Sequence, residues 1–475
     1  MFIRLLTYFF IYLIILHLTT DLALASGKAT SMGLLTSIAS DGPFDVVRNP
    51  ALLTLQKKNN STGIFSSFTS HHTSYSSTLN NIYSYNSYMS SNEIIDFQMY
   101  NNFGKPDLYS MNIQLAYTAV IGKSFFGLSL TGIESEIYTS SKRRYMSVSN
   151  VTMTEQNSLN TTSAQELVHA IEKIKGLAPS FISAVGYNIT KKNSIGFQLS
   201  LGYLQKEMEI ITNSISITES NEYYEETKIQ KDTYAYSAEM GFGYLYKESG
   251  THVGILLRSG DFTLKREEME FSKSSTYSIY PDSSPFGKSD YSYIGRYTKG
   301  AALSAGCYKR INPLFAIAIE GTLKFENVYN DKGLEFSDIY TPSIVNASSY
   351  ITEESYYQKT KNSIFIKGGV EFNPISRLAF LLGMGYTSYN NERYRNDNTY
   401  YTDETLSDSQ TDYYLFTSGI DFRLSSNLKL NLISVLINYN NTTHIRIRNE
   451  YMILRMKDHV HGYMIELGLG ITSSI

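Results

Sequence analysis

Alternation of apolar and polar residues with a period of two runs through most of this chain. Ile195, Phe197, Leu199, Leu201 and Tyr203 share one face of a segment, opposite Ser194, Gly196, Gln198, Ser200 and Gly202. Phe315, Ile317, Ile319, Leu323 and Phe325 stand opposite Ala316, Ala318, Glu320, Thr322 and Lys324. Tyr463, Ile465, Leu467, Leu469 and Ile471 repeat the pattern near the end. A period of two is the mark of a strand with one greasy and one polar face. The pattern predicts strands near 62–70, 110–120, 124–138, 180–189, 193–213, 233–246, 251–270, 295–309, 314–328, 361–372, 376–390, 411–423, 427–440 and 460–472, fourteen in all.

The connections between these segments fall into two classes. Short turns such as Gly122-Lys123, Lys247-Glu248-Ser249-Gly250 and Asn373-Pro374-Ile375 alternate with long polar stretches near 71–109, 139–179, 214–232, 271–293, 329–360, 391–410 and 441–459. Short turns at one end and long loops at the other characterise a barrel that crosses a bacterial outer membrane on strands. The fold class expected is therefore all-β, a fourteen-stranded antiparallel transmembrane β-barrel over 59–475 with long extracellular loops. Outer-membrane lipid would surround it. A string of secreted β-sandwiches also alternates, but does not require loop lengths to segregate in this way.

Composition agrees. Forty Tyr and 24 Phe against nine Pro suit strands. The 41 basic and 44 acidic side chains leave a net charge of −3, which gives no case for nucleic-acid binding. The single cysteine, Cys307, excludes an internal disulfide and a cysteine-paired metal site.

At the N-terminus, Arg4 precedes an apolar run over 5–18, and Ala23-Leu24-Ala25 supplies a small-x-small cleavage pattern. Residues 1–25 read as a secretory signal peptide. No later run approaches the length of a membrane helix. Residues 26–58 do not alternate cleanly and carry enough apolar side chains to need burial. A barrel of fourteen strands is wider than the eight-stranded size that side chains alone fill. The 26–58 segment is expected to enter the lumen as an N-terminal hatch, or plug.

Within that segment stands Asn49-Pro50-Ala51. Pro50 fixes its own φ and keeps Asn49 out of the helical region, which frees the Asn49 side chain to bond nearby backbone. A signal peptide, a small and apolar stretch running into Asn-Pro-Ala, and a fourteen-strand barrel together resemble the FadL/TodX family of long-chain fatty-acid and hydrophobic-compound transporters. The resemblance implies that Asn49, Pro50 and Ala51 form the hatch motif. The barrel of that family also serves proteins that are not transporters. This chain departs from the common barrel pattern by ending in Ile475 rather than an aromatic residue.

Further candidates follow from the residues. Gly127 and Gly132 can kink or bulge the third strand and so open a gap in the wall. Ser163-Ala164-Gln165-Glu166 is a capping-box pattern, and it would start a helix with Leu167, Ile171 and Ile174 on one face, placed to capture a greasy ligand in an outer loop. Inward charges expected from the alternation include Glu239, Arg258, Glu320, Lys324, Lys367, Glu371, Asp421, Arg423 and Glu466. They could ring the interior, hold the hatch by ion pairs, or meet a ligand. His71-His72 reads as loop and not as a metal site. No catalytic, cofactor-binding or metal-binding motif stands out, and no enzyme activity is expected.

The reading that best joins these features is passive uptake of a hydrophobic small molecule, such as a long-chain fatty acid, by a monomeric channel in the bacterial outer membrane. The alternatives are a surface interaction protein, adhesin-like, or a secretion or assembly partner built on the same barrel.

Overall fold

The computed structural model describes residues 28–40, 42–56, 60–84, 98–101, 108–132, 141–155, 158–217, 222–278, 286–298, 300–340, 348–397, 403–448 and 452–474. The expected signal peptide at 1–25 lies outside them. Twenty strand segments form one sheet, and in space they make fourteen barrel strands. Eight of these run unbroken: β1 (Ser61–Ser84), β5 (Asn193–Ile217), β6 (Glu222–Glu248), β7 (Thr251–Ser278), β11 (Leu378–Asp397), β12 (Asp403–Arg423), β13 (Leu428–Arg448) and β14 (Met452–Ser474). Six comprise two described segments each: β2 (Gln98–Asn101 and Leu108–Ile121), β3 (Ser124–Thr131 and Ser141–Glu155), β4 (Ser158–Leu177 and Ser180–Asn188), β8 (Phe286–Thr298 and Ala302–Arg310), β9 (Phe315–Lys324 and Asn327–Tyr340) and β10 (Ser348–Thr360 and Ser363–Ile375).

Every pairing is antiparallel between chain neighbours, and the ring closes where Ser61 on β1 meets Ser474 on β14. Among the described residues closure pairs the first strand with the last, as a membrane demands of a sheet. Each of the fourteen expected strands coincides with one observed. So do their faces: Phe197, Ile317 and Leu467 are exposed on the outer surface, while Gln198, Ala318 and Glu466 are buried on the inner one.

Above the expected membrane band the ladders continue where loops were expected. Residues 327–339 pair with 348–360, and 141–155 with 158–172. The wall is therefore much taller than its greasy belt. His71-His72 lies in β1 rather than in a loop. The helix expected to carry Leu167, Ile171 and Ile174 is not formed. That stretch belongs to β4, hydrogen-bonded to β3 on one side and to β5 on the other. Two ladders satisfy every backbone group that a short helix would leave open at its ends, and the grouping of these three residues by helical period does not hold.

Residues 28–56 contain a single helical turn, α1 (Lys28–Ser31), and two 3-10 turns, Gly42–Val47 and Pro50–Leu55. Nearly all of this segment is buried. It packs against inward faces in the short-turn half of the barrel.

Candidate functional site

Asn49 makes four hydrogen bonds through its side chain. Its backbone is extended (φ −77°, ψ 111°), as Pro50 requires. Its Oδ1 accepts from Ala51 N at 3.0 Å and so caps the second 3-10 turn. Its Nδ2 donates to three carbonyl oxygens: Ser37 within the segment at 2.9 Å, and Tyr244 on β6 and Ile255 on β7, each at 3.2 Å. One amide thus ties the turn to itself and to two barrel strands. Pro50 opens the turn and Ala51 is fully buried beneath it.

The segment can approach the wall because the wall is glycine there. A Cβ at Gly243 on β6 would overlap Asn49 Oδ1, and one at Gly254 on β7 would overlap the Ser37 carbonyl oxygen. Gly127 belongs to the same pattern. It forms no bulge, since β3 stays in register with β2 and β4 through it; a Cβ there would overlap Val46. Gly132 differs. It is left-handed (φ +69°), directly after Thr131. Among the described residues β2 pairs with β3 from Ile121 opposite Ser124 to Leu115 opposite Leu130, and again at Asn101 opposite Tyr145.

Two buried ion pairs hold the other half of the segment. Glu320 on β9 accepts from Thr36 N (3.0 Å), Thr36 Oγ1 (2.7 Å), Ser37 N (2.7 Å) and Ser37 Oγ (2.6 Å). Lys367 on β10 pairs with Glu320 at 2.7 Å and donates to Leu34 O at 2.9 Å. Lys28 of α1 lies 2.5 Å from Glu371 on β10, and Tyr308 on β8 donates to the same carboxylate at 2.9 Å. Burial opposes charge on Lys28, yet Glu371 and Tyr308 hold its pKa above the ordinary value. Among the other expected inward charges, Arg258 faces Glu239 at 3.5 Å and donates to Val47 O at 2.8 Å. Arg423 is exposed near the short turns.

Leu34 connects these anchors to the space above. It is non-glycine and left-handed (φ 59°), following Gly33 (φ 95°). Such a backbone costs about 1–2 kcal/mol. Its side chain packs into an apolar cluster on the inner wall: Tyr413 and Leu415 of β12, Val435, Ile437 and Tyr439 of β13, and Val460 and Met464 of β14, with Phe365 and Tyr389 at the margin. Burying one leucine is worth about 1.5–3 kcal/mol, enough to offset the strain. Period-two reasoning made the inner face polar and missed this patch. The signal was present: Leu432–Ile437 is apolar on both faces apart from Ser434, as in strands covered on two sides.

No group of His, Cys, Asp or Glu among the described residues is arranged to hold a metal ion.

No family model matches the sequence, and no curated protein does. Solved structures match along almost the whole chain. The toluene transporter TbuX of Ralstonia pickettii aligns with 96% of this chain and 100% of its own, at 11% identity and a TM-score of 0.52. The toluene transporter TodX of P. putida aligns over 96% and 99%, at 13% identity and a TM-score of 0.51. The barrel is the TodX-type transporter fold that Asn49-Pro50-Ala51 and the strand count implied.

Proposed function

We propose that this chain is a bacterial outer-membrane channel for passive uptake of hydrophobic compounds, plugged by its N-terminal segment. The observation that carries the reading is the apolar inner patch around Val435 and Ile437, which meets the strained Leu34 of the segment. Two solved proteins of the same fold are named as toluene transporters, which supports the class of ligand.

A greasy molecule settling on the patch competes with Leu34. Once displaced, Leu34 no longer offsets its own left-handed backbone, and residues 33–37 can rearrange. Exit or entry through the wall has a candidate at Gly132, whose left-handed backbone follows the Ser124–Thr131 segment of β3. The hatch role of Asn49, Pro50 and Ala51 follows from their position at the opposite anchor.

The test is uptake of a long-chain hydrophobic compound in a transport-deficient host. Val435→Asp with Ile437→Asn should abolish uptake while the barrel still assembles. Deleting residues 26–55 should raise ion conductance in planar bilayers. If deletion leaves conductance unchanged and no form of the protein supports uptake, the channel reading fails and a surface interaction role replaces it.

A further inference from the structure

Inward carboxylates of this barrel are matched to cations. Glu320 has Lys367, Glu371 has Lys28, Asp421 has Lys429 at 2.6 Å, and Glu239 has Arg258. Glu466 breaks the rule. It stands on the inner face of β14, 4% exposed. Its cross-strand neighbours are Val435 on β13 and Thr69 on β1, with Met464 and Gly468 before and after it on its own face. The Ser67 hydroxyl lies near it, and that hydroxyl has no hydrogen-bond partner of proper geometry. No ion pair to Glu466 is formed among the described residues.

A carboxylate buried among apolar groups without a counter-charge is costly. Glu320 and Glu371 meet that cost by holding the inner segment. Glu466 bonds no donor of the segment, so anchoring does not explain it. A serine or glutamine would keep this position polar more cheaply. What distinguishes the position is its place at the margin of the apolar patch, of which Val435 and Met464 are members. An acid beside a greasy surface suits a molecule with one polar end.

We infer that Glu466 is the polar anchor of the lumen site, and that it receives the hydrogen-bond-donating, cationic head of an amphiphile whose apolar tail lies on Val435, Ile437 and Met464. The site then favours amines over carboxylates. This rests on the uptake reading and narrows it. The cations on the segment side are committed, Lys367 to Glu320 and Leu34 O, and Lys28 to Glu371. Lys324 stands over the Tyr389 ring, 5.6 Å from its centre, at the margin of the patch, and is where a carboxylate head would bind in the reverse orientation.

The purified full chain in phosphatidylcholine nanodiscs tests this by equilibrium binding of dodecylamine, dodecanol and dodecanoate at neutral pH, with empty nanodiscs as the blank. Wild type should bind the amine at least about tenfold more tightly than dodecanoate, with dodecanol between them. Glu466→Gln should remove most of that preference and leave dodecanol binding little changed. Glu466→Lys should invert the order. Heat-modifiable migration checks that each variant assembles, and the wild-type ratio decides the matter even if one does not. Dodecanoate binding as tightly as the amine overturns the inference, as does a ratio that follows Lys324→Met rather than Glu466→Gln. If dodecanol binds without any preference for the amine, the inference falls and the uptake reading stands. If none of the three binds above the blank, both fall.

Discussion

Glu320 on β9 and Lys367 on β10 stand directly opposite each other in register, 2.7 Å apart, and both bond the same short stretch of the inner segment, residues 34–37. Neither side chain is more than 3% exposed. The pair therefore joins two strands to the segment at one point.

Removing either partner leaves an unpaired buried charge, at about 3–5 kcal/mol. Glu320→Gln and Lys367→Met should each release residues 34–37, seen as raised conductance in planar bilayers and faster proteolysis within the segment. The double variant should lose less stability than the two single losses added together, because no lone charge remains. A thermal-melting double-mutant cycle measures the coupling.

The second anchor gives a different prediction. Asn49→Ala removes a cap worth about 1 kcal/mol and leaves the Tyr244 and Ile255 carbonyl oxygens without this donor. Gly243→Ala should produce the same phenotype from the barrel side, since its Cβ would overlap Asn49 Oδ1. Both variants should keep the heat-modifiable gel shift and raise conductance. If Gly243→Ala behaves like wild type, the close approach of Asn49 to β6 does not hold the segment.

Depth within the outer belt can be read from arginine scanning. Leu467 lies well inside β14, and Ile375 at the short-turn end of β10; they are 55% and 58% exposed. Arginine costs about 2–4 kcal/mol at the bilayer midplane and about 0–1 near the interface. Leu467→Arg should sharply lower the yield of folded barrel, and Ile375→Arg should barely change it. Urea titration in lipid vesicles gives both values. Gly468→Arg makes a poor inward control, because the Phe65 ring fills the space beside Gly468.

Gly132 separates the wall from the lumen as a route. Gly132→Val places a branched side chain at φ +69° and drives its Cβ into the Ala178 carbonyl. Uptake of a hydrophobic compound should change while ion conductance stays as in wild type. Equal uptake by variant and wild type would remove the wall gap from the pathway.

The strand order, the closure and the two faces were legible because lipid enforces alternation on every crossing strand. That enforcement ends where water bathes both faces. Residues such as 327–340 and 348–360 then lose their period and resemble loops, although the ladder hydrogen bonds continue without it. The same loss of period let a capping-box pattern at Ser163–Glu166 imitate a helix start. Asn49-Pro50-Ala51 was visible because proline dictates backbone locally. The apolar patch was obscured by the assumption that a lumen is polar, and the roles of Gly127 and Gly243 depend on what packs against them, which no local pattern reveals.

The strands that comprise two described segments fall in two groups, β2–β4 and β8–β10, separated on both sides by strands described without a break. They divide the wall into two storeys joined by continuous pillars. The lower storey holds the greasy belt and the anchored segment. The upper one is fourteen strands round as well, with its own closed circuit of pairings. An upper storey taken from another barrel of equal circumference could be grafted at that level, altering the rim while the anchored segment beneath is left intact.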